Sequence, residues 1–228
     1  MGLKPATAEV RIVATLEDLA QIGAELFIAQ AQAALDRPGA FTAVLTGGST
    51  PRPLYRHLAE SAQARSLWEK IHFFWGDERH VPPDHPDSNY RMACDALELN
   101  RLVPAAQIHR IPAEDPDPER TALDYERSLR DFFRLTSGQS PRFDLVLLGL
   151  GADGHVASLF PGSPALGEHE RLVVADWRED RAAYRITLTA PVFNAAARIL
   201  FVVSGTEKAQ ALQQTFEAHT TPNAIPRN

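Results

Sequence analysis

The sequence predicts an α/β fold: a mostly parallel sheet with helices on both faces. Short apolar runs alternate with amphipathic stretches along most of the chain, the rhythm of strand–helix–strand units. The run Phe143-Asp144-Leu145-Val146-Leu147-Leu148 is almost continuously apolar, as a strand covered on both faces must be. Three of the apolar runs end in glycine-rich or polar turns, and open α/β sheets bind ligands beyond the carboxyl ends of their strands.

The totals fit one globular domain over residues 1–228. The chain is 44% hydrophobic and 23% charged, which supports a sizeable core and argues against disorder. The net charge of −6, with no basic stripe, argues against a nucleic-acid partner, although a few converging cations can still hold a small anion. Cys94 is the single cysteine, so an intrachain disulfide and a cysteine zinc cluster are excluded. Its helical surroundings suit a buried, inert thiol. Met1 to Ala6 lack the apolar core of a signal peptide, Ala6 breaks the myristoylation pattern, and no apolar run approaches the ~18 residues of a membrane span. No membrane partner and a cytoplasmic location are expected; oligomeric state is not readable.

In order, Val10–Val13 reads as a short strand. Thr15 and Asp18 form a weak capping box for a helix that Arg37-Pro38-Gly39 ends. Strands are expected at 41–45, 71–75, 143–148, 172–175, 185–188 and 199–203, with a short one possible at 108–111. Helices are expected at 51–59, 89–97, 119–135 and 206–216.

The first exit is Leu45-Thr46-Gly47-Gly48-Ser49-Thr50-Pro51. Two glycines let backbone amides approach a ligand, Thr50 can cap the helix, and Pro51 suits its first position. The helix N-terminus is then a ready anion site. The plain alternative is a well-capped tight turn. A Walker loop fails for want of Gly-Lys, and the nucleophile elbow fails because Pro51 stands where its last glycine belongs.

The second exit, Trp75-Gly76-Asp77-Glu78-Arg79-His80, places polar residues just past an aromatic strand end. Arg79 can fork onto a phosphate; Asp77 can hydrogen-bond a sugar hydroxyl or orient another group. The alternative is a solvated loop whose charges pair with each other. Asp77, Glu78, His80 and His85 lack a metal-binding spacing, so no metal is expected. Ser88 or Asn89 opens the next helix.

The third exit, Gly149-Leu150-Gly151-Ala152-Asp153-Gly154-His155, matches the dinucleotide fingerprint G-x-G-x-x-G, with Asp176 following at a fitting distance. The match fails on the helix, because Val156 to Phe160 allow little more than one turn before Pro161-Gly162. The residues instead offer His155, whose imidazole type can take a proton at pH 7, and Asp153, which can orient it. The bland alternative is Asp153 as a helix cap and His155 as a packed ring.

Taken together, Leu45–Pro51, Trp75–Arg79 with Asp87-Ser88-Asn89-Tyr90, and Gly149–Gly162 resemble the 6-phosphogluconolactonase family, which is related to the glucosamine-6-phosphate isomerases/deaminases. The resemblance covers roughly residues 40–216 and rests on three motifs in order. It implies a Rossmann-like fold of the NagB/RpiA type and hydrolysis of 6-phosphoglucono-1,5-lactone in the oxidative pentose phosphate pathway. The partner it implies is a small phosphosugar lactone, with no metal and no organic cofactor. By position it implies His155 as general base with Asp153 in support, and Gly47, Gly48, Ser49, Arg79 and Lys208 as phosphate contacts. Arg185 is a weaker candidate for the same pocket. Family members usually continue past the last helix into a further strand and helix, so the resemblance does not fix the edge of the sheet, whereas it does cover the three motifs.

Two rivals remain. An amino-sugar-phosphate isomerase/deaminase of this family carries a glutamate five residues after the histidine; here that position is Phe160, which cannot move a proton. A non-catalytic sugar-phosphate sensor would keep the phosphate loop alone, whereas this chain has both Asp153 and His155.

Overall fold

The computed structural model describes residues 9–36 and 39–220. Along the chain come α1 (Leu16–Leu35), β1 (Phe41–Leu45), α2 (Pro51–Glu60), α3 (Ala62–Arg65), β2 (Ile71–Trp75), β3 (Asp77–Arg79), α4 (Asn89–Leu97) and α5 (Leu99–Leu102). They are followed by β4 (Ile108–His109), α6 (Pro118–Phe133), β5 (Leu145–Leu148), β6 (Val173–Arg178), β7 (Ala183–Leu188), α7 (Ala190–Asn194), β8 (Ile199–Phe201) and α8 (Ala209–Thr220).

The predicted parallel sheet is present, five strands in the order β4-β2-β1-β5-β8. β1 at its centre is buried throughout and pairs in parallel with β2 and β5. Neighbouring residues of β2 show how both faces are covered. Phe73 packs on Phe27 of α1 and on Trp68, whereas Phe74 packs on Phe132 and Phe133 of α6. Successive strand residues point to opposite faces, so α1 and α6 lie on opposite sides of the sheet.

Two buried tyrosines fix the strand ends that matter below. The Tyr55 hydroxyl from α2 accepts from the Thr46 N–H at 3.0 Å and donates to its C=O at 2.8 Å. The Tyr125 hydroxyl from α6 does the same to Trp75, at 3.1 Å each. Each phenol satisfies two backbone groups where a strand leaves the ladder, groups that would be costly to bury unpaired.

Several local expectations need correction. Val10–Val13 is not a strand: Ile12 is 93% exposed and no strand pairs with this segment. Apolar β-branched residues make a strand only when a partner and a covering face exist. Thr50 does not cap α2; it is itself in helical conformation, and its hydroxyl bonds Ser204 at 3.1 Å. The segments around 172–178 and 183–188 are strands, but not of the parallel sheet. With β3, where the sequence predicts a polar loop, they form a separate antiparallel sheet, β3-β7-β6. Thr15 and Ser88 cap α1 and α4 as expected, and Cys94 is buried, its thiol pushed up to about 11 mainly by burial. Arg37 and Pro38, the expected stop of α1, lie outside the described residues.

A histidine pair joins β2 to the outer strand β4. His72 Nδ1 and His109 Nε2 lie 2.9 Å apart, and the His109 ring stacks on Phe74. Burial first, and then the His72 charge, push His109 down to about 4; burial lowers His72 as well. The unfolded chain, with histidines near 6.5, therefore binds more protons than the folded one as pH falls below that value. Stability is lost between about 6.5 and about 4, by about 2 kcal/mol after allowance for the partial exposure of the pair. His109→Phe, which keeps the stack, is expected to flatten this slope in urea titrations at successive pH values. An unchanged slope would place the acid sensitivity elsewhere.

Candidate active site

The three exits meet through a short chain of contacts. In the antiparallel sheet Asp77 and Arg79 point to one side of β3 and Glu78 to the other. Glu78 is buried at the N-terminus of α4, where it accepts from the N–H groups of Arg79, Asn89 and Tyr90 and from the Ser88 hydroxyl. Burial pushes its carboxyl up, against the pull of those four bonds. The helix-capping Glu78 thus anchors β3 and leaves its neighbours free to face the other way.

Asp77 accepts from the Ser158 hydroxyl at 2.7 Å and from the Asn89 amide at 3.3 Å. Ser158 belongs to the turn after His155, so Asp77 ties the second exit to the third. Asn89 reaches the first exit: a side chain at Gly47 would collide with the Asn89 amide. Thr50 and Ser204 then join that exit to the segment carrying Lys208.

No helix follows the third exit. Ala157 has φ +49°, and Val156 bridges Leu159 in a tight turn, which removes both the dinucleotide crossover and the reading of Asp153 as a helix cap. Asp153 instead accepts from His155 Nδ1 at 2.5 Å and from the His155 N–H at 3.2 Å. Burial pushes the Asp153 carboxyl up, but these bonds and the imidazole's charge outweigh it and hold it below its ordinary value. A carboxylate only accepts, so it places the ring proton on Nδ1 and leaves the Nε2 lone pair of the neutral ring free. Nε2 makes no hydrogen bond among the described residues. Gly151 is the residue that gives the pair its room, since a Cβ there would strike both His155 Nδ1 and Asp153 Oδ1.

A cavity of about 370 Å³ opens here, lined by His155 and Asp153 on one side and by the antiparallel sheet on the other. Arg79 and Arg185 stand directly opposite each other across β3 and β7, on the same face as Asp77. Arg79 donates to the Asp87 carbonyl at 2.7 Å. Arg185 makes no side-chain hydrogen bond or ion pair among the described residues. Burial, and then the charge of Arg79, lower it from the ordinary arginine range, yet a guanidinium remains charged at neutral pH. A half-buried cation pressed against another cation is relieved by an anion between them. Arg178 and Arg181, which no motif in the sequence marks, add two cations.

Of the residues singled out from sequence, Asp77, Arg79, Asp153, His155 and Arg185 share this cavity. Gly47, Gly48, Ser49 and Lys208 are not part of its lining; they stand on the same carboxyl edge of the parallel sheet, with Gly48 and Ser49 exposed and Lys208 near Glu207. Glu78, His80 and His85 turn to the α4 N-terminus, the Asp115 carbonyl and the Asp87 N–H respectively. Among the described residues no three metal-ligating side chains converge, and no helix is long and apolar enough to cross a membrane.

An oriented imidazole facing an arginine-lined cavity, at the carboxyl edge of a parallel sheet, defines an α/β protein equipped for proton transfer on a small anion. The family model described as glucosamine-6-phosphate isomerases/6-phosphogluconolactonase matches residues 14–228, and the chain belongs to that family. It is 46% identical over 193 residues to a 6-phosphogluconolactonase of Synechocystis, covering 85% of this chain and 78% of that one. A 6-phosphogluconolactonase of Mycobacterium bovis is 41% identical over 186 residues, 79% and 74% of the two chains. Among solved structures, the 6-phosphogluconolactonase from Trypanosoma cruzi superposes with a TM-score of 0.82 at 30% identity, over 94% of this chain and 86% of that one. The Thermotoga maritima 6-phosphogluconolactonase gives 0.76 at 33% identity, over 90% and 87%. A monomeric glucosamine-6-phosphate deaminase shares the fold at a TM-score of 0.74 and 23% identity, over 90% and 86%.

Proposed function

We propose that this chain hydrolyses 6-phospho-D-glucono-1,5-lactone to 6-phosphogluconate, with His155 as general base. The observation that carries the reading is the Asp153–His155 pair on the wall of a cavity also lined by Arg79 and by Arg185, which has no hydrogen-bond or ion-pair partner among the described residues.

The chemistry follows from the geometry. Nε2 of His155 takes a proton from water as its oxygen attacks the lactone carbonyl, which gives a tetrahedral oxyanion and an imidazolium. Asp153, an ionised acceptor on Nδ1, stabilises that imidazolium. Collapse breaks the bond to the ring oxygen, the imidazolium returns its proton to that oxygen, and the new carboxylic acid ionises. A lactone is an activated ester, so no covalent nucleophile is required. The N–H groups of Gly151 and Gly154 are engaged within the turn, so neither is the donor to the oxyanion. Arg79 and Arg185 bind the phosphate, with Gly47, Gly48, Ser49 and Lys208 as the outer part of that anion site along the sheet edge.

The test adds the protein to freshly made 6-phosphogluconolactone and follows acid release above the spontaneous rate. No acceleration would sink the proposal. Arg185→Ala is expected to raise KM by about 10–100-fold with a smaller change in kcat, the loss of one charge-assisted contact of roughly 1.5–3 kcal/mol. A fall confined to kcat would instead put Arg185 at the reacting carbonyl.

The deaminase reading is disfavoured by Phe160, whose ring lies on His155 with centroids 4.2 Å apart and offers no proton for ring opening.

A further inference from the structure

The imidazole of His155 is 31% exposed, and the Asp153 carboxylate that holds it is 51% exposed. One hydrogen bond to a half-solvated partner fixes the distance to Nδ1 but leaves the plane of the ring free to rock. What limits that rocking is Phe160, at 4.2 Å and a tilt of 37°. Phe160 is covered in turn: the Arg178 guanidinium carbon lies 3.7 Å from its ring centroid. The Phe160 ring is thus in contact with both the guanidinium and the imidazole. Arg178 is itself held by Asp180, which accepts from Nε at 3.1 Å and lies 3.0 Å from Nη2.

We propose that Arg178, acting through the Phe160 ring, is a positioning residue that sets the plane of His155 for proton transfer. The inference rests on the reading of His155 as the base. It separates Arg178 from the other cavity cations. The face of its guanidinium is occupied by an aromatic ring and two of its nitrogens by Asp180, whereas Arg185 has no partner among the described residues. A guanidinium suits this place because it stacks flat on an aromatic face while its edge forks onto a carboxylate. Arg178 sits at the end of β6 and Asp180 in the turn that leads to β7, so the brace reaches the third exit from the antiparallel sheet rather than from β5, which leads into it.

The test is a double-mutant cycle on the full chain with 6-phosphogluconolactone as substrate. Arg178→Ala is expected to lower kcat about tenfold, the scale of a partly desolvated cation–π contact, with KM changed by no more than about twofold. In a Phe160→Ala background the same substitution is expected to leave kcat unchanged, because the coupled element is already gone; Phe160→Leu serves if Phe160→Ala does not fold. Arg178→Ala is also expected to move the ring proton resonances of His155, which a cation acting only on substrate would leave in place. Equal losses of kcat in both backgrounds, or a rise in KM with kcat retained, overturn the proposal and make Arg178 an ordinary substrate-binding cation. An inactive wild type defeats the lactonase reading itself, which is a different failure.

Discussion

His155→Ala is expected to lower kcat by about 10²–10⁴-fold with a modest change in KM, the usual contribution of a positioned general base. The expectation is specific because little else should change. His155 is partly exposed, it is not part of the hydrophobic core, and its removal leaves Arg79, Arg185 and Asp77 in place. The residual rate then reports what the anion site and substrate orientation achieve without a base. Asp153→Asn separates the two members of the pair. An amide presents a donor as well as an acceptor to Nδ1, so the ring is no longer held in the tautomer with Nε2 free. kcat should fall while the protein keeps its fold. Initial rates on fresh lactone, corrected for spontaneous opening, decide both, and His155→Ala activity equal to wild type would remove His155 as the base while leaving the reaction open.

The parallel sheet was legible because its strands are apolar runs between helices with ordinary caps. The contact between Asp153 and His155 was legible for a related reason: a glycine-rich exit from a buried strand brings two polar side chains of one tight turn within reach of each other. The antiparallel sheet was not legible. β3 is Asp77-Glu78-Arg79, three charged residues with no hydrophobic signal, and its partner β7 lies more than a hundred positions away. A weak signal did exist in β6, where Val173, Ala175 and Trp177 alternate with Val174, Asp176 and Arg178, the period of a strand with one polar face. The register with β7 and β3 then puts Arg178 on the same side as Arg185 and Arg79. Without it, the turn containing Asp180 and Arg181 reads as a solvated loop, and both additional arginines are missed. Val10–Val13 errs in the opposite direction, with strand-like residues for which the fold supplies no partner.

Gly151→Ala is the second large effect, and it tests the geometry rather than the presence of the pair. Gly151 is buried, and its N–H is bonded to the His155 carbonyl at 2.8 Å, so the backbone cannot swing away to admit a methyl group without opening the turn. The methyl would meet His155 Nδ1 and Asp153 Oδ1 at once. Both belong to side chains that can yield toward solvent, and yielding separates them or rotates the ring. The φ of Gly151 is not among the left-handed ones, so alanine meets no backbone penalty there and the fold should survive. The expected outcome is a fall in kcat of about 10²-fold, the scale of an ångström-size displacement of a catalytic group, with the thermal midpoint nearly unchanged and phosphate-dependent binding retained. Gly47→Ala is the matching control, because its clash falls on Asn89 and reaches His155 only through Asp77 and Ser158. A larger loss of kcat at Gly47 than at Gly151 would mean that the Asn89–Asp77 link, not the Asp153–His155 pair, governs the rate.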